Sequence, residues 1–280
     1  MIPSRPGDRI KTNRRDAITL ARLRRAGELT PVWVPDEAHE AVRDLVRARE
    51  GAMLDLRMKR QQLFLLRHDR IFPGRKTWSR AHVRWLCEQR FEHPAHQIVM
   101  QEYRHTIDDA ETRLDRLEGQ LADVVPQWSM APVVEAFQAM RGVGFLAAVI
   151  FVAEVGDVRR FESPSQLMGY LVPSERSTGD RVRRGGITKA GNRRARWVLI
   201  EGAWTYRLPA RVGRTLQARL DGLPKAVRDI AWKAQTRLCG RYRRLTAAGK
   251  KPCLVTTAVA REMAAFLWAI GQQVAPRLAG

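Results

Sequence analysis

Two long stripes of apolar residues, their members mostly three or four positions apart, dominate the chain. The first runs from Asp36 to about His68 through Ala41, Leu45, Ala48, Ala52, Leu56, Leu63 and Leu66, with charges elsewhere. That is the pattern of an amphipathic helix that hides one face. After a loop around Phe72 to Thr77 and a shorter helical stretch near His82 to Gln89, the second passes through Val99, Tyr103, Ile107, Ala110, Leu114, Leu117 and Leu121. Two such helices predict an antiparallel coiled-coil hairpin. A solvated spacer between domains and a surface for dimerisation or RNA contact both fit it, and the pattern does not choose between them.

On the N-terminal side, Asn13 is a candidate N-cap for a short helix from Asp16 to Ala26 that stops at Gly27. The two prolines in Thr30 to Pro35 make that segment an extended connector. Beyond Pro132 the pattern predicts a helix ending near Gly156 and a shorter one over Phe161 to Leu171 begun by Ser163-Pro164. It then predicts a helix whose Trp197, Leu199, Ile200, Ala203 and Trp204 read as core, and amphipathic helix from Leu216 to Leu278. No alternating strand pattern follows Pro35, so the expected class is mainly α. The expected divisions are residues 1–35, 36–125 and 130–280.

Composition turns this helical outline towards a partner. Fifty Lys and Arg stand against 29 Asp and Glu in 280 residues, a net charge of +21 and a sequence pI of about 11.2, which points to a polyanion. Nucleic acid is favoured over a membrane, because no stretch shows roughly 18 uninterrupted apolar residues and the apolar run Phe145 to Val155 is short and carries Glu154. A cytosolic location follows as an expectation. Cys87, Cys239 and Cys253 have neither disulfide-framework nor zinc-ligand spacing and read as reduced packing residues.

Two segments carry candidate chemistry. Met140-Arg-Gly-Val-Gly-Phe-Leu-Ala147 reads as a helix-hairpin-helix-like turn in which Gly142 and Gly144 let backbone N–H groups meet a DNA phosphate. An ordinary helical corner is the alternative. Residues 173–196 form a glycine-punctuated loop with eight basic residues against two acidic ones. Arg181, Arg183, Arg184, Lys189, Arg193, Arg194 and Arg196 there are candidate nucleic-acid contacts, with simple helix-surface charge as the alternative for the last three. Arg237 to Lys251 is a second basic stretch on the same expected surface.

Lys11-Thr-Asn-Arg-Arg-Asp-Ala-Ile-Thr-Leu-Ala-Arg22, together with Pro173-Ser-Glu-Arg-Ser-Thr-Gly179 followed by Gly185-Gly-Ile-Thr-Lys-Ala-Gly-Asn192, resembles the insertion-sequence transposases that join an N-terminal RuvC-like DEDD domain to a serine-bearing C-terminal domain. Piv-type invertases and bridge-RNA-guided recombinases are relatives of that family. The resemblance implies transposition of DNA through a serine nucleophile with metal-assisted cleavage, Mg²⁺ being held by four carboxylates. Asp16 matches the fourth of these and Asn13 stands where the third is expected. It implies Ser177 or its neighbour Thr178 as the nucleophile, with Ser177 favoured as the less crowded hydroxyl.

Gly169-Tyr-Leu-Val-Pro173 is two residues shorter than the family pattern. Residues 1–35 would then be the end of a RuvC-like domain whose other carboxylates lie before Met1, in a chain truncated and catalytically impaired. Expected partners are element-end and target DNA, an optional guide RNA, and further copies of the chain in a dimer or tetramer. A non-catalytic nucleic-acid-binding remnant and a coiled-coil adaptor are the alternatives.

Overall fold

The computed structural model describes residues 13–27, 33–65, 70–171, 175–178, 181–184 and 191–277. It falls into two compact units that divide between Asp36 and Glu37. The first holds α1 (Asn13–Arg25), which carries Asp16 in its first turn and ends before Gly27 in the left-handed region at φ +69°.

The second unit is built on α2 (Glu37–Leu65) and α4 (Pro94–Val124), with the short α3 (Arg80–Glu88) between them. The two long helices pack antiparallel. Arg49 Nε donates to Glu118 Oε1 at 2.9 Å and Arg60 pairs with Glu111, so successive positions of one meet receding positions of the other. The face that α2 buries matches the predicted stripe at Ala52, Leu56 and Leu63 and departs from it in the N-terminal half, where Ala41 and Ala48 are exposed while Val42 and Val46 are buried. With small alanines on the rejected face, a stripe shifted by one residue places the larger β-branched side chains in the core, and burial favours the larger apolar area.

After α4 come α5 (Ala131–Phe137), α6 (Phe145–Val155) and α7 (Pro164–Leu171), then α8 (Arg193–Ala203), α9 (Arg214–Leu220), α10 (Lys225–Ala247) and α11 (Pro252–Gly271). α6 is buried continuously from Ala148 to Val155, the expected state of a helix apolar on all sides. α11 packs against α5, α7, α8 and α10. Among the described residues it alone is long and apolar enough to cross a membrane, and its Val255, Val259, Met263, Leu267 and Ile270 are spent on the core.

The chain is mainly helical, with one addition to the expectation. Glu175–Thr178 (β1) and Arg181–Arg184 (β2) pair as an antiparallel hairpin inside the basic loop. Four-residue strands whose only apolar member is Val182 are too short and too polar to show a period of two. Trp197 also departs from its predicted core position and is 44% exposed, while Leu199 and Ala203 are buried. The turn of α8 that buries Ala195, Val198 and Leu199 leaves position 197 on the outer face.

Candidate nucleic-acid interface

The end of α6 organises the site. A helix leaves its last carbonyls without partners, and here they lie in the core, so other elements must supply donors. α2 does so from positions four apart on one face: His39 Nε2 lies 2.9 Å and Arg43 Nε 3.0 Å from the Ala153 carbonyl. Arg160 donates to the Val155 carbonyl at 3.0 Å. Cations at a helix C-terminus also offset its dipole.

Next on the same face, Arg47 donates through Nε to Glu154 Oε1 at 3.1 Å. The Glu154 side chain is only 3% exposed. Burial alone would raise its pKa, but hydrogen bonds from Arg47 and Asn192 and the charges of Arg47 and Arg194 outweigh burial and hold it below the ordinary carboxylate value. Glu154 therefore stays ionised as the hub of this cluster.

Asn192 joins the hub to the basic loop. Its Nδ2 donates to Glu154 Oε2 at 2.8 Å, while its Oδ1 caps α8 by accepting from the Arg194 and Ala195 N–H groups, each at 3.0 Å. Beside it, Gly191 has φ +89°, and a Cβ there would stand 2.1 Å from the Tyr170 carbonyl oxygen. Only glycine fits that close approach. Arg196 reaches the Leu171 carbonyl at 3.4 Å. The chain thus leaves the core after Leu171 and returns at Gly191 in one place, with β1 and β2 between.

The backbone register sets Ser177 opposite Val182, Thr178 opposite Arg181, Arg176 opposite Arg183 and Glu175 opposite Arg184. A groove of about 530 Å³, lined by Arg47, Glu50, Leu54, Glu154, Asn192 and Arg193 among others, borders the point of return. We expect Gly191→Ala to unpin the loop, costing about 1–3 kcal/mol from a forbidden φ and overpacking. Limited proteolysis between residues 172 and 190 should become faster, and an unchanged cleavage rate would refute the pinning.

The expected contacts do not all sit alike. Arg193 is exposed, whereas Arg194 pairs with Glu50 and lies 3.9 Å from Glu154, and Arg196 holds Leu171. Lys189 lies outside the described residues. Gly142 has φ +83° and its Cα abuts the Gly202 carbonyl, where a Cβ would come within 2.3 Å. Its conformation is thus used to bring the turn against α8. Gly144 is the extended residue just before α6. A second basic trough runs along α10 at Arg237, Gly240, Arg243 and Arg244, with Arg237 and Arg241 anchored by Glu262 at 3.0 and 2.8 Å.

Asp16 and Asn13 lie in the N-terminal unit, in and at the start of the first turn of α1. One carboxylate and one amide fall short of the oxygen donors that a hard divalent cation needs. Among the described residues no group of three or more His, Cys, Asp or Glu could hold a metal ion.

Sequence reading singled out neither His39, Arg43, Arg47 and Glu50 nor the hub role of Glu154. The available signal was an acid inside an apolar helix, which implies a buried partner.

The sequence profile of the transposase IS116/IS110/IS902 family matches residues 134–216, the segment from α5 through the hairpin into α9. The chain is 58% identical over 277 residues to a Sinorhizobium fredii protein, y4qE, named as a transposase, covering 98% of this chain and 68% of that one. It is 31% identical over 257 residues to the transposase for insertion sequence element IS1533 of Leptospira borgpetersenii, covering 89% and 74%. A shorter stretch of 68 residues is 41% identical to the transposase for insertion sequence element IS1111A of Coxiella burnetii, 24% of this chain and 19% of that one. The profile match over residues 134–216 and relatives aligned over most of their length agree: the chain belongs to the IS116/IS110/IS902 family of transposases.

Proposed function

We propose that this chain binds the DNA of an insertion sequence through the loop between Leu171 and Gly191 and presents Ser177 there as the nucleophile of a transposition reaction. The observation that supports this reading most is the double pinning of that loop by Gly191 and Asn192. It fixes the place where a basic, hydroxyl-bearing segment rejoins the core. Arg181, Arg183 and Arg184, with Lys189 and the exposed Arg193, neutralise the phosphates, and the α10 trough extends the track.

In the proposed step the Ser177 oxygen bonds to phosphorus as one P–O bond to a deoxyribose breaks. The serine gives up its proton and the released sugar hydroxyl takes one up, so the ester energy is kept for rejoining. Thr178 is the neighbouring alternative. The reading extends to a RuvC-like origin for the N-terminal unit, a coiled-coil role for α2 and α4 in a dimer or tetramer on DNA, a guide RNA as a further partner, and a cytosolic, nucleoid-associated location. Asn13 lacks the charge that would help hold Mg²⁺, so we propose impaired cleavage.

Covalent capture tests this. With element-end DNA and Mg²⁺, no adduct is expected on an ordinary phosphodiester. A bridging-sulfur phosphorothiolate, whose thiolate leaves with less stabilisation, should give an adduct that Ser177→Ala abolishes and Thr178→Ala retains. An adduct that survives Ser177→Ala would remove Ser177, and one on the ordinary diester would remove the impairment.

A further inference from the structure

At the end of the α2–α4 pair away from the main core, the segment carrying α3 builds a small aromatic pocket that has no part in the reaction above. Leu63, Leu86 and Met100 form its floor, and Phe72, His82, Trp85 and Phe91 supply the rings. His82 and Trp85 stack with centroids 5.8 Å apart, and Phe72 stands edge-on to His82 at 4.9 Å. The Arg70 guanidinium lies over Phe91 at 4.3 Å and donates to Gln89 Oε1 at 3.2 Å. The rings of Phe72, Trp85 and Phe91 are only partly buried.

Gly74 holds the Phe72 ring, since a Cβ there would come 2.4 Å from it. Trp78, beside the pocket, adopts φ +58°, a conformation that bulky residues take only where the surroundings impose it. The cavity is about 280 Å³, just below the roughly 300–1,000 Å³ of pockets for drug-sized ligands, and so suits one flat ring system.

Its surroundings identify the ligand. Between residues 70 and 91 the basic side chains are Arg70, Arg75, Lys76, Arg80, Arg84 and Arg90, and the acidic one is Glu88. All of these except Arg70, which lines the pocket, are exposed. A greasy ligand or a second protein surface would use the rings and leave this charge idle. A chain of phosphates bearing flat apolar rings uses both, because stacking holds a base of any identity while cations track its backbone. A base within a duplex is already stacked on both sides. We infer that this pocket receives an unpaired base of a single-stranded nucleic acid, with the surrounding cations holding the flanking phosphates.

The inference rests on the nucleic-acid reading above, and the test separates the two. Binding of short oligothymidine and oligouridine is measured for the whole chain and for Trp85→Leu and Phe91→Leu. Each variant should bind about tenfold more weakly with its salt dependence unchanged, because a ring and no phosphate contact has been lost. An oligonucleotide abasic at its centre should bind the unaltered chain as weakly. With 5-iodouracil in the strand, photo-cross-links should map to Phe72, Trp85 or Phe91 in the unaltered chain, which decides the matter even if a variant melts early. Preference for thymidine would assign a displaced DNA strand, preference for uridine an RNA, and equal binding either.

Variants that melt normally and bind as before, or cross-links that map elsewhere, would overturn the pocket. A dimer that Phe91→Leu splits without affecting oligonucleotides would overturn it in favour of a second copy. Element-end duplex binding that persists in those cases leaves the proposed function standing, whereas its absence in the unaltered chain removes both.

Discussion

Glu154→Ala is expected to destabilise the second unit by about 2–3 kcal/mol, less than the ~3–5 of breaking a fully buried pair from one side, because Arg47 is 42% exposed and water replaces part of what it loses. At this chain length, that corresponds to a melting temperature lower by roughly 7 °C. The value follows from what would be left behind. Arg47 and Asn192 both point at a carboxylate that is 3% exposed, and Arg194 lies within 3.9 Å of it. Without Glu154 these donors lose their shared acceptor, and Asn192 keeps only its 3.3 Å bond to the backbone carbonyl of residue 154 as its tie from α8 to α6. Glu154→Gln keeps the volume and one acceptor, so it should cost less.

The pH dependence has a definite sign. The folded pKa of Glu154 lies below its ordinary 4.5, so the stability it contributes is complete above that value and is lost as pH falls through the lowered folded pKa. The advantage of the unaltered chain over Glu154→Gln should accordingly be constant near neutrality and shrink only in acid. A melting temperature within a degree or two of the unaltered chain for Glu154→Ala would show that the hub does not hold this end of α6.

Much of the fold was legible because long helices repeat their signal. The stripe through Tyr103, Ile107, Ala110, Leu114, Leu117 and Leu121 does lie in the face that α4 turns inward, although its first member Val99 is exposed and Met100 is buried instead, and Ser163 caps α7 with its hydroxyl 3.2 Å from the Gln166 N–H. In α2, by contrast, Ala41 and Ala48 look as suitable as Val42 and Val46. Alanine fits either face of a helix, and only the packing partner breaks the tie.

The candidate site was half visible. Glycine, hydroxyl and arginine in one segment marked the loop, because each residue type suits a phosphodiester. What positions that loop was not visible: His39, Arg43, Arg47, Glu50 and Asn192 are ordinary surface-type residues in sequence. They become a site only when α2 crosses the end of α6, more than 100 residues later in the chain for the His39–Ala153 contact. The left-handed Gly142 was legible as a tight turn, yet its reason lies in Gly202, sixty residues on.

Replacing Arg183 and Arg184 together with Ala is the second large effect expected. β2 carries both, at register positions opposite Arg176 and Glu175, so the loop gathers positive charge on two adjacent strands, where a polyanion offsets their mutual repulsion. Each phosphate neutralised by a side chain contributes about 0.9 to the slope of log affinity against log salt. Losing two contacts should therefore flatten the slope by about 1.8 and, at 0.1 M salt, weaken binding by about 1.8 decades. The fold should be unaffected, since the Glu154 cluster and the pin at Gly191 do not involve these residues.

That titration, made on element-end duplex with the unaltered chain and the Arg183→Ala/Arg184→Ala variant across a range of salt concentrations, tests most directly the claim that this chain meets DNA at the loop between Leu171 and Gly191. A steep slope for the unaltered chain, flattened by about 1.8 in the variant, is the result the account predicts. Equal slopes and equal affinities would contradict it and move the DNA to another face.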